Sequence, residues 1–161
     1  MAANRYVVAG SNRANNPPDT FTRTSHSIRI IANDGTIGLI QTWSPTMSKA
    51  ITPIYELNIE TSGIPYENIP GNVQNLTIQV ARYDVWTKRM EQAFGTPDIY
   101  MLSNQKSPFS VEERWTLPDG TDEVWRYDGC WFESIGRSFR SDDQRLVMVN
   151  ATLRYLRKTR L

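Results

Sequence analysis

The sequence predicts a mostly β fold, a β-sandwich or open barrel of about seven to eight strands with one α-helix packed on it. Three features support this: segments that alternate apolar and polar residues, turn signals between them, and one segment with helical spacing. The chain has 161 residues, 39% of them hydrophobic, which suits one domain with one core. We expect an extended N-terminal arm over residues 1–25, rich in Asn, Thr, Arg, Ser and Pro, and a single β domain over residues 26–161.

The first predicted hairpin has strands over residues 27–31 and 36–43, joined by a turn at Asp34-Gly35. Asp-Gly between apolar runs is a strong hairpin signal. A loop is predicted over residues 44–46, which read Ser-Pro-Thr.

Two further strands are predicted over residues 54–60 and 73–83, with a Gly- and Pro-containing loop over 61–72 between them. Each strand alternates, so each has one apolar and one polar face. We expect the apolar face in the core, formed by Tyr55, Leu57, Ile59, Leu76, Ile78 and Val80.

The one predicted helix begins at the N-cap Asp84 and stops at Gly95. Trp86, Met90, Ala93 and Phe94 fall on one side of it and should pack on the sheet.

The rest of the chain predicts a short strand over residues 99–102, then a hairpin with strands over 111–117 and 123–127. Residues 129–136 should continue the sheet with a bend, and residues 145–156 should form a long last strand. Val147, Val149, Ala151, Leu153 and Tyr155 line one face of that strand, which we expect to be buried.

Residues for catalysis, metal binding or cofactor binding are not evident. His26 is the only histidine and Cys130 the only cysteine, so neither a zinc site of ordinary composition nor a disulfide is expected. Cys130 stands among aromatic residues and is predicted to be a buried apolar side chain. Glu56 and Glu60 would stand about 13 Å apart on a strand, too far for a glycosidase pair. We expect a non-enzymatic protein with no cofactor.

Charge is balanced, with a formal net charge of +1, but unevenly distributed. The balance argues against a general nucleic-acid-binding protein. No apolar run is long enough for a membrane span, and the N-terminus is too weakly apolar for a signal peptide. We therefore expect a soluble protein made in a cytoplasm, with no membrane partner.

The order of these elements resembles the tail-tube proteins of contractile-tailed bacteriophages and the related tube protein of type VI secretion. The resemblance covers about residues 27–157. It is carried by Pro-Ile-Tyr-Glu-Leu at 53–57 through Ile-Pro-Gly at 69–71, by the strand-to-helix junction at 80–86, and by the Gly-x-Trp…Gly bend within residues 127–136. The long arm and the basic C-terminus depart from that pattern.

The resemblance implies a structural virion protein that forms stacked hexameric rings, a hollow tail tube through which phage DNA passes without specific binding. It implies tail sheath, baseplate and tail-terminator proteins as partners, with assembly in the host cytoplasm. Two alternatives stay open. One is a baseplate or tail-completion ring protein of the same fold. The other is a sugar- or nucleic-acid-binding β-domain, with Trp115, Trp125 and Trp131 as a stacking platform.

Two sets of residues are candidates for the tube's function. Residues 50–81 contain no Lys or Arg, and a DNA channel should avoid groups that bind phosphates. The polar face of the two alternating strands is therefore predicted to face the lumen: Glu56, Asn58, Glu60, Asn75, Thr77 and Gln79. The basic C-terminus is predicted to contact another subunit, because Asp142 and Asp143 cannot pair with all of Arg154, Arg157, Lys158 and Arg160.

Overall fold

The computed structural model describes residues 27–32, 35–57, 63–96, 99–117, 120–141 and 146–161. His26 and the predicted arm over residues 1–25 lie outside these ranges. The described elements are eight strands, one short helix and one turn of 3-10 helix. In chain order they are β1 (Ser27–Ala32), β2 (Gly35–Thr36), β3 (Ile40–Ile54), β4 (Glu67–Tyr83), α1 (Met90–Ala93), the 3-10 helix (Leu102–Asn104), β5 (Phe109–Thr116), β6 (Asp122–Phe139), β7 (Val147–Arg154) and β8 (Arg157–Arg160).

All strand pairs are antiparallel, in the order β2-β1-β5-β6-β7-β4-β3, with β8 also paired to β6. The long strand β6 belongs to two halves of this sheet. Its residues 122–130 pair with β5, while residues 131–139 pair with β7. The half containing β1, β2, β5 and β8 is called sheet A here, and the half containing β3, β4 and β7 is called sheet B.

The core lies between the two halves and is closed by the helix. Sheet B contributes rows of apolar side chains that run across neighbouring strands, such as Ile78, Leu153 and Phe132. Phe94, directly after α1, packs against Phe109 and Phe132 with ring centroids 5.4 and 5.8 Å away. The helix therefore covers the core side of sheet B and leaves the other side of that sheet uncovered.

The bend in β6 occurs at Gly129, whose φ is +70°. An added Cβ there would lie 2.9 Å from the Cβ of Leu156, so glycine meets both a conformational and a packing requirement. The next residue, Cys130, is fully buried, as the sequence predicted. Burial raises the pKa of its thiol to about 12, which keeps it protonated and unreactive at neutral pH.

The predicted fold class is confirmed, with one predicted hairpin formed in full and the other in part. The first hairpin forms only between Ile31–Ala32 and Gly35–Thr36, since residues 37–39 are not in a strand and the rest of the predicted return strand belongs to β3. β5 pairs with β6 as predicted. Leu76, Ile78 and Val80 face the core, and Ile78 and Val80 are fully or nearly fully buried. The predicted face of β7 is buried from Val149 to Tyr155.

Several predicted boundaries are wrong. Residues 44–46 do not form a loop but continue β3, because an edge strand tolerates Pro45. The strand predicted over 54–60 does not form in its described part, since β3 ends at Ile54 and residues 55–57 are not in a strand; residues 58–60 lie outside the described residues. Tyr55 and Leu57 are exposed, and Ile59 lies outside the described residues. The strand over 99–102 is also absent, whereas β8 was not predicted at all.

The helix is much shorter than predicted. After β4 the chain turns through Val85 and Lys88, and Arg82 holds this turn by donating to the carbonyl oxygen of Lys88 at 3.3 Å. The turn leaves Trp86 fully exposed, which corrects its prediction as a packed residue, while Met90, Ala93 and Phe94 are buried as predicted. None of the described helices has the length and apolar character needed to cross a membrane.

Replacement of Gly129 by alanine should destabilise the domain by about 2 kcal/mol, because the variant combines left-handed strain with a clash against Leu156. The free energy of unfolding from urea titration measures this. Gly38→Ala is the matched control, since an added Cβ at that position meets no atom within 4 Å and should change stability by less than about 1 kcal/mol. Equal stability of the Gly129 variant and the wild type would show that the bend does not depend on this contact.

Candidate assembly interface

The uncovered side of sheet B is a continuous uncharged surface across four strands. The backbone register aligns its side chains in two cross-strand rows. One row is Ser44, Gln79, Thr152 and Ser134, and the other is Thr42, Ala81, Asn150 and Gly136. Strand alternation places these residues opposite the row of Val80, Ala151 and the partly buried Ile135, which faces the core. These eight residues are called the uncharged face.

A charged pair borders the uncharged face at one end. The adjoining row contains Thr46, Thr77, Arg154 and Trp131. Arg154 is more than half exposed, and its Nη2 lies 3.0 Å from Oε1 of Glu133. The positive charge is therefore compensated within the same chain.

Sheet B has two open edges in the described part of the chain. One is β3, which is the last strand in the pairing order. The other is the second half of β6, where β5 has left the sheet. At the junction, Gln105 substitutes for the missing strand: its Oε1 accepts the N–H of Phe132 at 2.9 Å, and its Nε2 donates to the carbonyl of Cys130 at 3.3 Å. Beyond Gln105, no described strand pairs with residues 133–139 on that side.

The outer part of the β3–β4 hairpin carries an exposed apolar surface. Beyond Thr46 and Thr77, β4 has left β7, and the two strands continue as a ribbon up to the pair Ile54 and Glu67. Nothing among the described residues covers this ribbon, here called the projecting hairpin. Its exposed large hydrophobic residues, with those of the loop beyond it, are Met47, Ile51, Ile54, Tyr55, Leu57, Ile64, Tyr66, Ile69 and Val73. A two-stranded ribbon is at best marginal in water, and a large exposed apolar patch marks an interaction surface.

The structure separates the predicted lumen residues. Gln79 lies in the uncharged face, and Thr77 lies in the row beside it. Asn75 has a φ of +56° at an irregularity in the β3–β4 register and donates to Ser48 Oγ at 2.8 Å. Glu56 lies beyond the end of β3, and Asn58 and Glu60 are outside the described residues. The other seven residues of the uncharged face were not singled out from the sequence, because only the pairing register brings them together: Thr42, Ser44, Ala81, Ser134, Gly136, Asn150 and Thr152.

The basic C-terminal residues have partners within the chain, which corrects the reasoning that singled them out. β8 returns along β6, and this places Arg160 Nε 4.0 Å from Glu123 Oε1. Lys158 Nζ lies 4.5 Å from the ring centroid of Trp125. A hydrogen bond from Ser110, together with the charges of Arg126 and Arg157, lowers the pKa of Asp128. Contact of these four basic residues with another subunit stays a prediction.

The described residues contain no cluster of three or more His, Cys, Asp or Glu side chains that could hold a metal ion. The tryptophans of the predicted stacking platform have separate contacts. Trp115 donates its indole N–H to Glu113, Trp125 lies beneath Lys158, and Trp131 belongs to the row of Arg154.

Comparison with models of known protein families and with curated protein sequences gives no match. Solved structures do match. A chain in the sheath/tube terminator of an extracellular contractile injection system has a TM-score of 0.64 at 15% identity, over 88% of this chain and 97% of that one. A chain in the tube-terminating cap of the anti-feeding prophage has a TM-score of 0.66 at 14% identity, over 94% and 98%. Hcp1 from Flavobacterium johnsoniae has a TM-score of 0.51 at 6% identity, over 83% and 93%.

The chain therefore has the fold of contractile-injection tube and terminator proteins. This confirms the structural resemblance predicted from the order of elements. At such low identities the likeness concerns the fold alone.

Replacement of Ile51 by aspartate should abolish self-association and leave the domain folded. Ile51 is 60% exposed, so its loss should change the free energy of unfolding by less than about 1 kcal/mol, whereas a charge on an apolar interface is strongly unfavourable. Sedimentation velocity measures assembly, and urea titration measures stability. Asn104→Asp, on the exposed 3-10 turn, is the control and should assemble normally. Unchanged assembly of the Ile51 variant would show that the projecting hairpin is not an interface.

Proposed function

We propose that this chain is a structural subunit of the tube of a contractile injection machine, where copies form stacked rings around a channel. The observation that carries the proposal is the uncharged face, which spans four strands and has open sheet edges on both sides. The projecting hairpin supports it, because its apolar surface suits contact with another copy. The fold shared with tube and terminator chains agrees with this role.

Ring closure follows from the two open edges. If β3 of one copy pairs with residues 133–139 of the next, both unpaired edges are satisfied and the sheets continue around the ring. Such an interface is head-to-tail, and it closes when the rotation between copies divides a full turn. We propose six copies, the number that the sequence resemblance implies.

Composition of the uncharged face suits a channel for DNA. In a ring it would face the lumen, since the helix and the core occupy its other side. Phosphates bind Lys and Arg strongly, and the eight residues of this face include neither. Arg154, in the next row, is neutralised by Glu133. We propose this face as the lumen lining in place of the six residues predicted from sequence, of which Gln79 is retained.

More specifically, we propose that the chain forms a phage tail tube, with tail sheath, baseplate and terminator proteins as its partners. A terminator, baseplate or tail-completion ring is the second candidate, and the terminator and cap structures that share the fold favour it. Negative-stain images of the purified chain separate the two, because a tube subunit should give long uniform tubes and a terminal ring should give isolated rings. Monomers that bind a sugar or oligonucleotide would contradict both.

Lysine in the uncharged face should leave assembly intact but cause nucleic acid to be retained. Gln79→Lys with Asn150→Lys would place two cations per copy on this face, and both positions are exposed. Purified particles should carry more nucleic acid, measured by the ratio of absorbance at 260 and 280 nm after nuclease treatment.

Asn104→Lys together with Ser103→Lys is the matched control, with the same added charge on the exposed 3-10 turn. Nuclease should remove nucleic acid from its outer surface. Equal nuclease-resistant nucleic acid in both variants would contradict a lumen position for the uncharged face.

A further inference from the structure

A carboxylate lies inside the domain without a described positive partner. Glu113 is only 5% exposed. Its Oε2 accepts hydrogen bonds from Trp43 Nε1 and from the Tyr127 hydroxyl, each at 2.9 Å, and its Oε1 accepts one from Trp115. All three donors are neutral. No described Lys or Arg forms an ion pair with Glu113, although a buried charge is usually paired.

Glu113 lines the floor of an open groove. The groove lies where sheet A and sheet B do not meet, between β1 and β3, and has a volume of about 360 Å³. Apart from Gln41 and Glu113, its lining is aliphatic or aromatic: Ile28, Ile30, Ile37, Leu39, Ile40, Trp43 and Trp115. Leu39 stands at the rim with φ +59° and a side chain 56% exposed. A non-glycine residue in this region is strained, and strain is often found at functional surfaces.

The projecting hairpin has the complementary chemistry. Lys49 is the only Lys or Arg in residues 30–81, and it is exposed. Met47 and Ile51 lie two residues before and after Lys49, on the same face of β3. Val73 is the cross-strand partner of Lys49. This face of the hairpin is thus apolar around one cation, as the groove is apolar around one anion.

The hairpin cannot reach the groove of its own chain. Gln41 lines the groove, and Lys49 lies eight residues further along the same strand, roughly 26 Å away. The occupant that fits is therefore the hairpin of a second copy.

We propose that the projecting hairpin of one copy seats in the β1–β3 groove of another, with Lys49 bound to Glu113. This proposal rests on the proposed assembly into rings or tubes and names one of its contacts. The lysine stem lies along the apolar walls while its ammonium reaches the carboxylate. The Trp and Tyr donors hold the carboxylate in place, which lets a desolvated ion pair form with good geometry.

Cysteine cross-linking between copies tests the contact directly. The double variant Lys49→Cys with Gln41→Cys lacks the Lys49 charge, so it is oxidised at a protein concentration well above its raised critical concentration for assembly. There it should form disulfide-linked chains, visible as a ladder on non-reducing gels. A bond within one chain is excluded because of the separation along β3, and the native Cys130 is buried. Each single variant measures disulfides between the same position in two copies. The pair Lys49→Cys with Asn104→Cys measures disulfides that form by random collision between copies. If wild-type and cross-linking variants assemble but give no ladder above these controls, the docking proposal is wrong. If the wild type does not assemble at all, the proposed function itself fails.

A double-mutant cycle tests the charge pair. Lys49→Met and Glu113→Gln should each raise the critical concentration for assembly at least about 30-fold, because each leaves one member of a desolvated pair alone. The double variant should assemble better than the product of the two single effects predicts. Glu112→Gln, at the neighbouring half-buried position of β5, should have little effect. Independent effects of Lys49→Met and Glu113→Gln would rule out their contact. If the Glu113 variant fails to fold, the docking proposal is tested instead by the cross-link and by the critical concentration of Lys49→Met.

Discussion

The structure depends on the double pairing of β6. Its first half builds sheet A with β5 and β8, and its second half builds sheet B with β7. One strand can belong to both sheets only if it bends where its pairing with β5 ends and its pairing with β7 begins. Gly129 forms that bend with a positive φ that most other residues rarely adopt. The core therefore lies within a single folded-over sheet, and Tyr127, Cys130 and Phe132 enter it from both sides of the bend.

This arrangement leaves features that a lone domain does not need. The second half of β6 has an open edge because β5 leaves the sheet at the bend. The opposite side of sheet B also has an open edge, because the pairing order ends at β3. The core and helix occupy one side of sheet B, which leaves the uncharged face on the other. The projecting hairpin then extends apolar side chains with no described cover. Contact with another copy would satisfy each of these features, which is the physical basis of the proposed assembly.

Sequence reasoning succeeded where the signal was local. Alternation identified the buried faces of β4 and β7, and the Asp-Gly turn identified the first hairpin. It failed where tertiary pairing decided the outcome. Tyr55 and Leu57 alternate with polar residues as a buried strand would, yet they are exposed at the end of the hairpin. Trp86 has helical spacing with Met90, but the turn held by Arg82 comes before the helix begins.

The uncharged face could not be predicted from the sequence for the same reason. Its eight residues come from four strands and share no sequence motif, so only the register between β3, β4, β7 and β6 brings them together. Gln79 was predicted because it alternates with core residues on its own strand. The groove around Glu113 could not be predicted either, since Trp43 and Tyr127 come from the two different halves of the sheet.

A cryo-EM reconstruction of the assembled chain tests the central claim most directly. The account predicts rings in which β3 of each copy pairs with residues 133–139 of its neighbour, so that Gln79 and Asn150 face the axis and α1 lies on the outside. A reconstruction with the uncharged face on the outer surface, or with the two edges of sheet B unpaired between copies, would contradict it.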